Sequence, residues 1–193
     1  MFDTDRLNLA IVTGSVRDGR FGPTVSAWFA DRATAHGAFE VDLIDLAELS
    51  FPEDMTINPD VETFAARIDA ADAVVIVTPE YNHSYPGPLK TAIDALKQPW
   101  HAKPVGFVAY GGMSGGLRAV EPLRVVFSEL HAITIRDTVS FHRARTQFDE
   151  TGQPIYAADV NAAAEVVLDQ LEWWALALKD ARAKRPYGQK VAV

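Results

Sequence analysis

The chain has 193 residues, enough for one domain with a substantial core, and its 48% apolar and 23% charged residues are ordinary for a globular protein. A net charge of -8 and a pI near 5.0 argue against nucleic acid or an anionic membrane as the main partner. With no cysteine there are no disulfides, thiolate metal ligands or thiol redox relays. Met1 to Arg6 lacks the basic start and apolar run of a signal peptide, and no apolar run approaches the roughly 20 residues that span a bilayer. A cytoplasmic protein is expected, one domain over 1–193 with an extended basic tail from about 184.

Leu7 to Val12 reads as a first buried strand, and the loop Thr13 to Gly22 follows it. A helix is expected from Pro23 to His36, with Val25, Trp28, Phe29 and Ala33 on one face and Gly37 as its stop. Phe39 to Asp45 alternates well enough for a second strand. Leu46 to Pro59 is loop-like, and Asp60 to Ala71 forms a helix with Val61, Phe64, Ala65 and Ile68 inward. Ala73 to Val77 is a strand apolar on both faces. It leads into a loop stiff with prolines and aromatics, Thr78 to Gly87, before a helix from Pro88 to about Lys97. Pro104 to Tyr110 is a fourth strand, and a helix runs from Leu117 to Leu130, which Pro122 should kink, delay or divide. Ile133 and Ile135 mark a fifth strand, and Arg136 to Ala158 reads as a long loop. Asn161 to Ala183 closes the chain as a helix with Val166, Val167, Leu171, Trp174 and Leu178 on one stripe.

Strands and helices alternate throughout, which predicts an α/β fold: a doubly wound, five-stranded parallel sheet of flavodoxin-like order 2-1-3-4-5. In that order the loops after strands 1, 3 and 4 converge. The first offers a glycine turn, hydroxyls at Ser15 and Thr24, cations at Arg17 and Arg20, and a helix N-terminus, all suited to phosphate. It is neither a Walker motif nor a dinucleotide fingerprint. The second presents Pro79, Glu80, Tyr81 and Asn82 as a flat aromatic shelf. The third, Gly111 to Gly116, exposes main-chain N–H groups at Gly112 and Gly115 to close approach. Each alone is ordinary turn chemistry; together they suit a planar ring with a phosphate tail, such as FMN.

Gly14-Ser15-x-Arg17, the run Pro79-Glu80-Tyr81-Asn82-x-Ser84-x-Pro86-Gly87-x-Leu89-Lys90, and Gly111-Gly112 with Gly115-Gly116-x-Arg118-Ala119 resemble the NAD(P)H-dependent FMN reductase family. That family includes quinone, azo-dye and chromate reductases. The resemblance covers most of 7–130 and departs at Pro122. It implies that Ser15, Arg17 and the following helix start hold the FMN phosphate, with Arg20 as a further cation. It places Pro79, Glu80, Tyr81, Asn82 and Ser84 along the flavin ring, and the third loop, Gly111, Gly112 and Ser114, at its far edge. Hydride then passes from NADPH or NADH to the flavin and on to a quinone, free flavin, azo compound or metal oxyanion. The protein's part is to position and tune the flavin. A homodimer or homotetramer is implied, with His83, Tyr85 and the helix from Pro88 as interface candidates.

Two other functions compete. Gly112-Met113-Ser114-Gly115-Gly116 matches the nucleophile elbow of serine hydrolases, with Asp137 and His142 as partners in close sequence range. A flavodoxin-like electron carrier without turnover is the other. The five histidines, His36, His83, His101, His131 and His142, are scattered without the spacing of a metal-ligand pair. Trp173 and Trp174 with Trp28 read as core or subunit interface.

Overall fold

A computed structural model describes residues 6–188. Five strands, β1 (Leu7–Thr13), β2 (Phe39–Asp45), β3 (Ala73–Pro79), β4 (Pro104–Tyr110) and β5 (Ile133–Phe141), form one sheet in the order β2-β1-β3-β4-β5. Every neighbouring pair is parallel. Helices α1 (Gly22–His36) and α5 (Ala157–Lys184) cover one face; α2 (Pro59–Ala70), α3 (Gly87–Asp94) and α4 (Leu117–Glu129) cover the other. This is the expected flavodoxin-like arrangement. The continuous apolar runs of β3 and β4 are explained by it, since every residue in both strands is buried.

Local chemistry sets the helix ends. Asn58 caps α2, its side chain accepting from Val61 N–H at 2.8 Å, with Pro59 in the first turn. Gly37 ends α1 at φ 86°, as its sequence position predicts. The short α3 stops at Asp94 rather than Lys97. Trp100, buried in the turn beyond, donates its indole N–H to the Ile93 carbonyl at 3.1 Å and so satisfies one of the freed acceptors.

Four expectations need correction. The fifth strand continues through Arg136 to Phe141, where a long loop was expected; it is an edge strand with polar residues between Ile135, Val139 and Phe141, which alone are buried in it. A register shift against β4 between Val105 and Phe107 further hides its period from the sequence. Of the three effects expected of Pro122, delay and division do not occur: α4 runs from Leu117 to Glu129 with Pro122 inside it, where the missing N–H removes the bond to the Arg118 carbonyl. The inward stripe of α5 is Ala164, Val167, Leu168, Leu171 and Ala175, while Val166 faces outward at 46% exposure. The closing helix runs past Ala183 to Lys184, and Arg182 within it donates to the Ala102 carbonyl at 2.6 Å and pairs with Asp72 at 3.6 Å. The expected extended tail beyond Gly188 lies outside the described residues.

Trp28 is core at 1% exposure, while Trp173 is 63% exposed and meets Trp174 edge-on, its ring centroid 5.0 Å away. No helix among the described residues is long and apolar enough to cross a membrane.

Candidate functional site

A cavity of about 490 Å³ opens at the carboxyl ends of β1, β3 and β4, the place where an open parallel sheet receives ligands. Its volume falls within the roughly 300–1,000 Å³ of small-molecule sites. Arg17 and Phe21 form one wall, Pro79, Glu80 and Tyr81 a second, and Tyr110, Gly111 and Gly112 the floor and far edge. The remaining wall comes from Arg143 to Thr146, inside the stretch expected as a long loop.

The loop after β1 is shaped from beneath. Ser15 is fully buried, and its hydroxyl accepts from the Tyr110 phenol at 3.0 Å. Burial holds the Tyr110 pKa well above that of an ordinary tyrosine, so the phenol remains a donor. Gly22 permits this contact: a Cβ there would lie 2.4 Å from Ser15 Oγ and 2.9 Å from Tyr110 Oη. Arg20 grips Asp45 with both guanidinium nitrogens, at 2.8 and 2.6 Å, and also donates to the Ser15 carbonyl at 2.7 Å. Its charge is thereby neutralised at the end of β2, away from the cavity. Arg17 stays exposed, its guanidinium 5.3 Å from the Tyr81 ring centroid. The amides of residues 16 to 19 meet no acceptor among the described residues, and no side chain caps α1. Free loop N–H groups beside an arginine, with an uncapped helix start following them, suit an anion.

The loop after β3 closes as a two-residue hairpin. Tyr81 and Ser84 exchange hydrogen bonds at 2.8 and 3.1 Å, with Asn82 (φ 50°) and His83 (φ 72°) both in the left-handed region, as a type I′ turn requires. Tyr81 therefore faces the cavity while Asn82 occupies the exposed tip and Ser84 the returning arm, neither on the cavity wall. Glu80 accepts from the Ser114 hydroxyl and from Arg118 N–H at 3.3 Å, and Arg118 Nη1 lies 3.7 Å from it.

In the loop after β4 only half of the expected open backbone faces the cavity. Gly112 is open, and its N–H meets no acceptor among the described residues. Gly115 (φ 65°) is buried instead against β5, where a Cβ would fall 2.3 Å from Ser140 Oγ. This geometry also removes the hydrolase constellation. Ser114 hydrogen-bonds to a carboxylate, the positive-φ residues are the glycines after it, and His142 Nδ1 donates to the Met113 carbonyl at 2.8 Å. Asp137 is held by Gln170 and by Arg136, the latter at 2.9 Å, so no Ser-His-Asp relay forms.

Of the residues chosen from sequence, Arg17, Pro79, Glu80, Tyr81, Gly111 and Gly112 converge on the cavity. Ser15, Arg20, Asn82, Ser84 and Ser114 stand behind or beside it. Phe21, Tyr110 and the Arg143–Thr146 wall were missed; the alternation of arginines after Phe141 was the one available signal. Far from the cavity, His36 brings its Nε2 to 3.1 Å from Asp169 and 3.9 Å from Glu165, a grouping that the distance along the chain conceals in sequence. Both carboxylates are largely exposed, while the His36 ring between them is mostly covered.

The site fits FMN on these observations: unpartnered amides and Arg17 for a phosphate, an aromatic wall for a ring, and a free Gly112 N–H for a polar ring edge. Comparison with known proteins agrees. The family model described as NADPH-dependent FMN reductase matches residues 7–146. An NAD(P)H-dependent FMN reductase of Schizosaccharomyces pombe is 35% identical over 121 residues, 56% of this chain and 60% of that protein. A quinone reductase of Escherichia coli K12 is 35% identical over 143 residues, 68% of this chain and 75% of that protein. Among solved structures, the flavoenzyme NAD(P)H:(acceptor) oxidoreductase FerB of Paracoccus denitrificans shares the fold at a TM-score of 0.71 and 22% identity, covering 89% of this chain and 98% of that one. The chain belongs to the NADPH-dependent FMN reductase family.

Proposed function

We propose that the chain is an NAD(P)H-dependent oxidoreductase that works through bound FMN and passes reducing equivalents to a small acceptor of the quinone, free flavin, azo or metal-oxyanion class. The observation that carries this reading is the convergence of Arg17, the Pro79–Tyr81 shelf and the free Gly112 N–H on one cavity at the carboxyl end of the sheet. Bound FMN supplies the chemistry, taking hydride from a nicotinamide and giving electrons to the acceptor. Arg17 and the amides beside it hold the phosphate, while Ser15 and Arg20 fix the loop that presents them. Tyr81 and Pro79 support the ring. The Gly112 N–H donates toward its polar edge and favours negative charge there. Glu80, tied to Ser114 and Arg118, keeps the second and third loops at a fixed spacing. The relatives named as reductases favour turnover over simple electron carriage.

The protein works as a homodimer or homotetramer in the cytoplasm. Exposed Trp173 and Leu176 on α5, and separately Met55 and Ile57, supply apolar surface for self-association in addition to the candidates His83, Tyr85 and α3. The direct test is the visible spectrum of purified protein before and after NADPH, with menadione added as acceptor. A yellow protein that NADPH bleaches and the quinone re-oxidises supports the reading. A colourless protein that leaves the fluorescence of added FMN unquenched would end it.

A further inference from the structure

Three arginines line the cavity, and they are not equivalent. Arg145 is committed: it donates to the Gly19 carbonyl at 2.6 Å and lies 5.4 Å from the Phe21 ring centroid. Arg17 rests on Tyr81 beside the free amides of the first loop. Arg143 alone has no described hydrogen bond, ion pair or ring contact for its guanidinium, though it is exposed on the cavity wall. Its placement is nevertheless fixed. The backbone adopts the left-handed conformation (φ 49°, ψ 47°), uncommon for a residue other than glycine. Two bonds to the third loop hold it there, Arg143 N–H to the Gly112 carbonyl at 2.7 Å and Ala144 N–H to the Gly111 carbonyl at 3.2 Å. The one carboxylate in the cavity, Glu80, is occupied by Ser114 and Arg118. A chain of net charge -8 thus keeps an unneutralised arginine on the cavity wall, its backbone anchored beside the bare Gly112 edge. Such a local positive field attracts an anion, and a guanidinium pairs best with phosphate.

We propose that Arg143 is a specificity residue for the hydride donor, binding a phosphate of the nicotinamide dinucleotide once FMN fills the cavity. This rests on the FMN reading above: the flavin's own phosphate takes the Arg17 end, which leaves Arg143 for the second anionic ligand to enter. Two phosphates of the donor share this chemistry, the 2′-phosphate found only in NADPH and the pyrophosphate common to NADPH and NADH.

The test uses FMN-loaded wild-type, R143Q and R143K protein with three donors: NADPH, NADH, and dihydronicotinamide riboside, which carries no phosphate. The readout is the ratio of kcat/KM for each dinucleotide to that for the riboside. R143Q is expected to lower the NADPH ratio about tenfold or more, with partial recovery in R143K. A fall confined to NADPH assigns the 2′-phosphate; an equal fall for NADH assigns the pyrophosphate. An unchanged ratio overturns the proposal, whether the separate values hold or drop together. Wild-type protein that takes up no FMN overturns both readings, and the absorption spectrum reveals that case before any kinetics are run.

Discussion

Arg20 and Asp45 form a two-pronged ion pair, 2.8 and 2.6 Å, that ties the loop after β1 to the end of β2. Both side chains are about four-fifths covered, at 18% and 20% exposure, and Asp45 also accepts from Ala47 N–H at 3.0 Å. The pair therefore shapes the loop without offering charge to the cavity. R20A and D45A should each destabilise the fold, and the double variant should cost clearly less than their sum. A coupling of about 1–2 kcal/mol in a double-mutant cycle by urea unfolding is expected. Strict additivity would show that Arg20 is free to act elsewhere.

Arg17 should behave in the opposite way. It is exposed and has no ion-pair partner among the described residues, so R17A removes little that the folded apoprotein needs. FMN affinity should fall by about 1.5–3 kcal/mol, the scale of a charge-assisted hydrogen bond. Unfolding of the apoprotein should move by less than about 0.5 kcal/mol. Fluorescence titration with FMN and a thermal melt of the same sample separate the two effects. FMN affinity unchanged in R17A would mean that the phosphate lies elsewhere.

The contrast between these two arginines shows where sequence reading stops. In the loop they look alike, three positions apart beside glycines. What distinguishes them is Asp45, 25 residues away, brought alongside by the β1–β2 pairing. Strands β2 and β4 were legible to the residue because a half-buried or fully buried strand prints its period on the chain. The second half of β5 was not, because an edge strand with Asp137, Thr138 and Ser140 carries too few apolar positions to show one. Losing that strand also hid Arg143 and Tyr110's neighbours from the site. Pro79, Glu80 and Tyr81 were legible for the reverse reason, because their chemistry is local, whereas the turn at Asn82 and His83 carries Asn82 away from the cavity.

Gly22 is predicted to be irreplaceable even by alanine. The added methyl would lie 2.4 Å from Ser15 Oγ and 2.9 Å from both Tyr110 Oη and Thr13 Cγ2, all on buried side chains without room to retreat. G22A should cost about 1–3 kcal/mol, a fall of roughly 2–10 °C in melting temperature. It should also weaken FMN binding, since the Tyr110–Ser15 contact sets the loop. A variant with wild-type melting and wild-type FMN affinity would show that the loop tolerates another shape.

Lys103 provides the test of the sheet's opposite end. It is 4% exposed, and its ammonium donates to the carbonyls of Ile68 at 2.7 Å, Asp69 at 2.5 Å and Ala71 at 2.6 Å, closing the C-terminus of α2. Burial, reinforced by Arg182, lowers its pKa from 10.5 to about 8. Because the folded pKa is depressed, the unfolded chain holds a proton between about pH 8 and 10.5 that the folded chain has released. Stability from this group is constant below that window and rises through it, with a slope of up to about 1.4 kcal/mol per pH unit. K103M should abolish the slope. At pH 7 it should cost about 1–3 kcal/mol, because three helix-end carbonyls lose their donor while nothing polar replaces it. Urea unfolding of both proteins from pH 7 to 10 measures both effects at once. Equal pH dependence in the two would show that burial does not depress the Lys103 pKa, and an unchanged stability of K103M at pH 7 would remove the capping role.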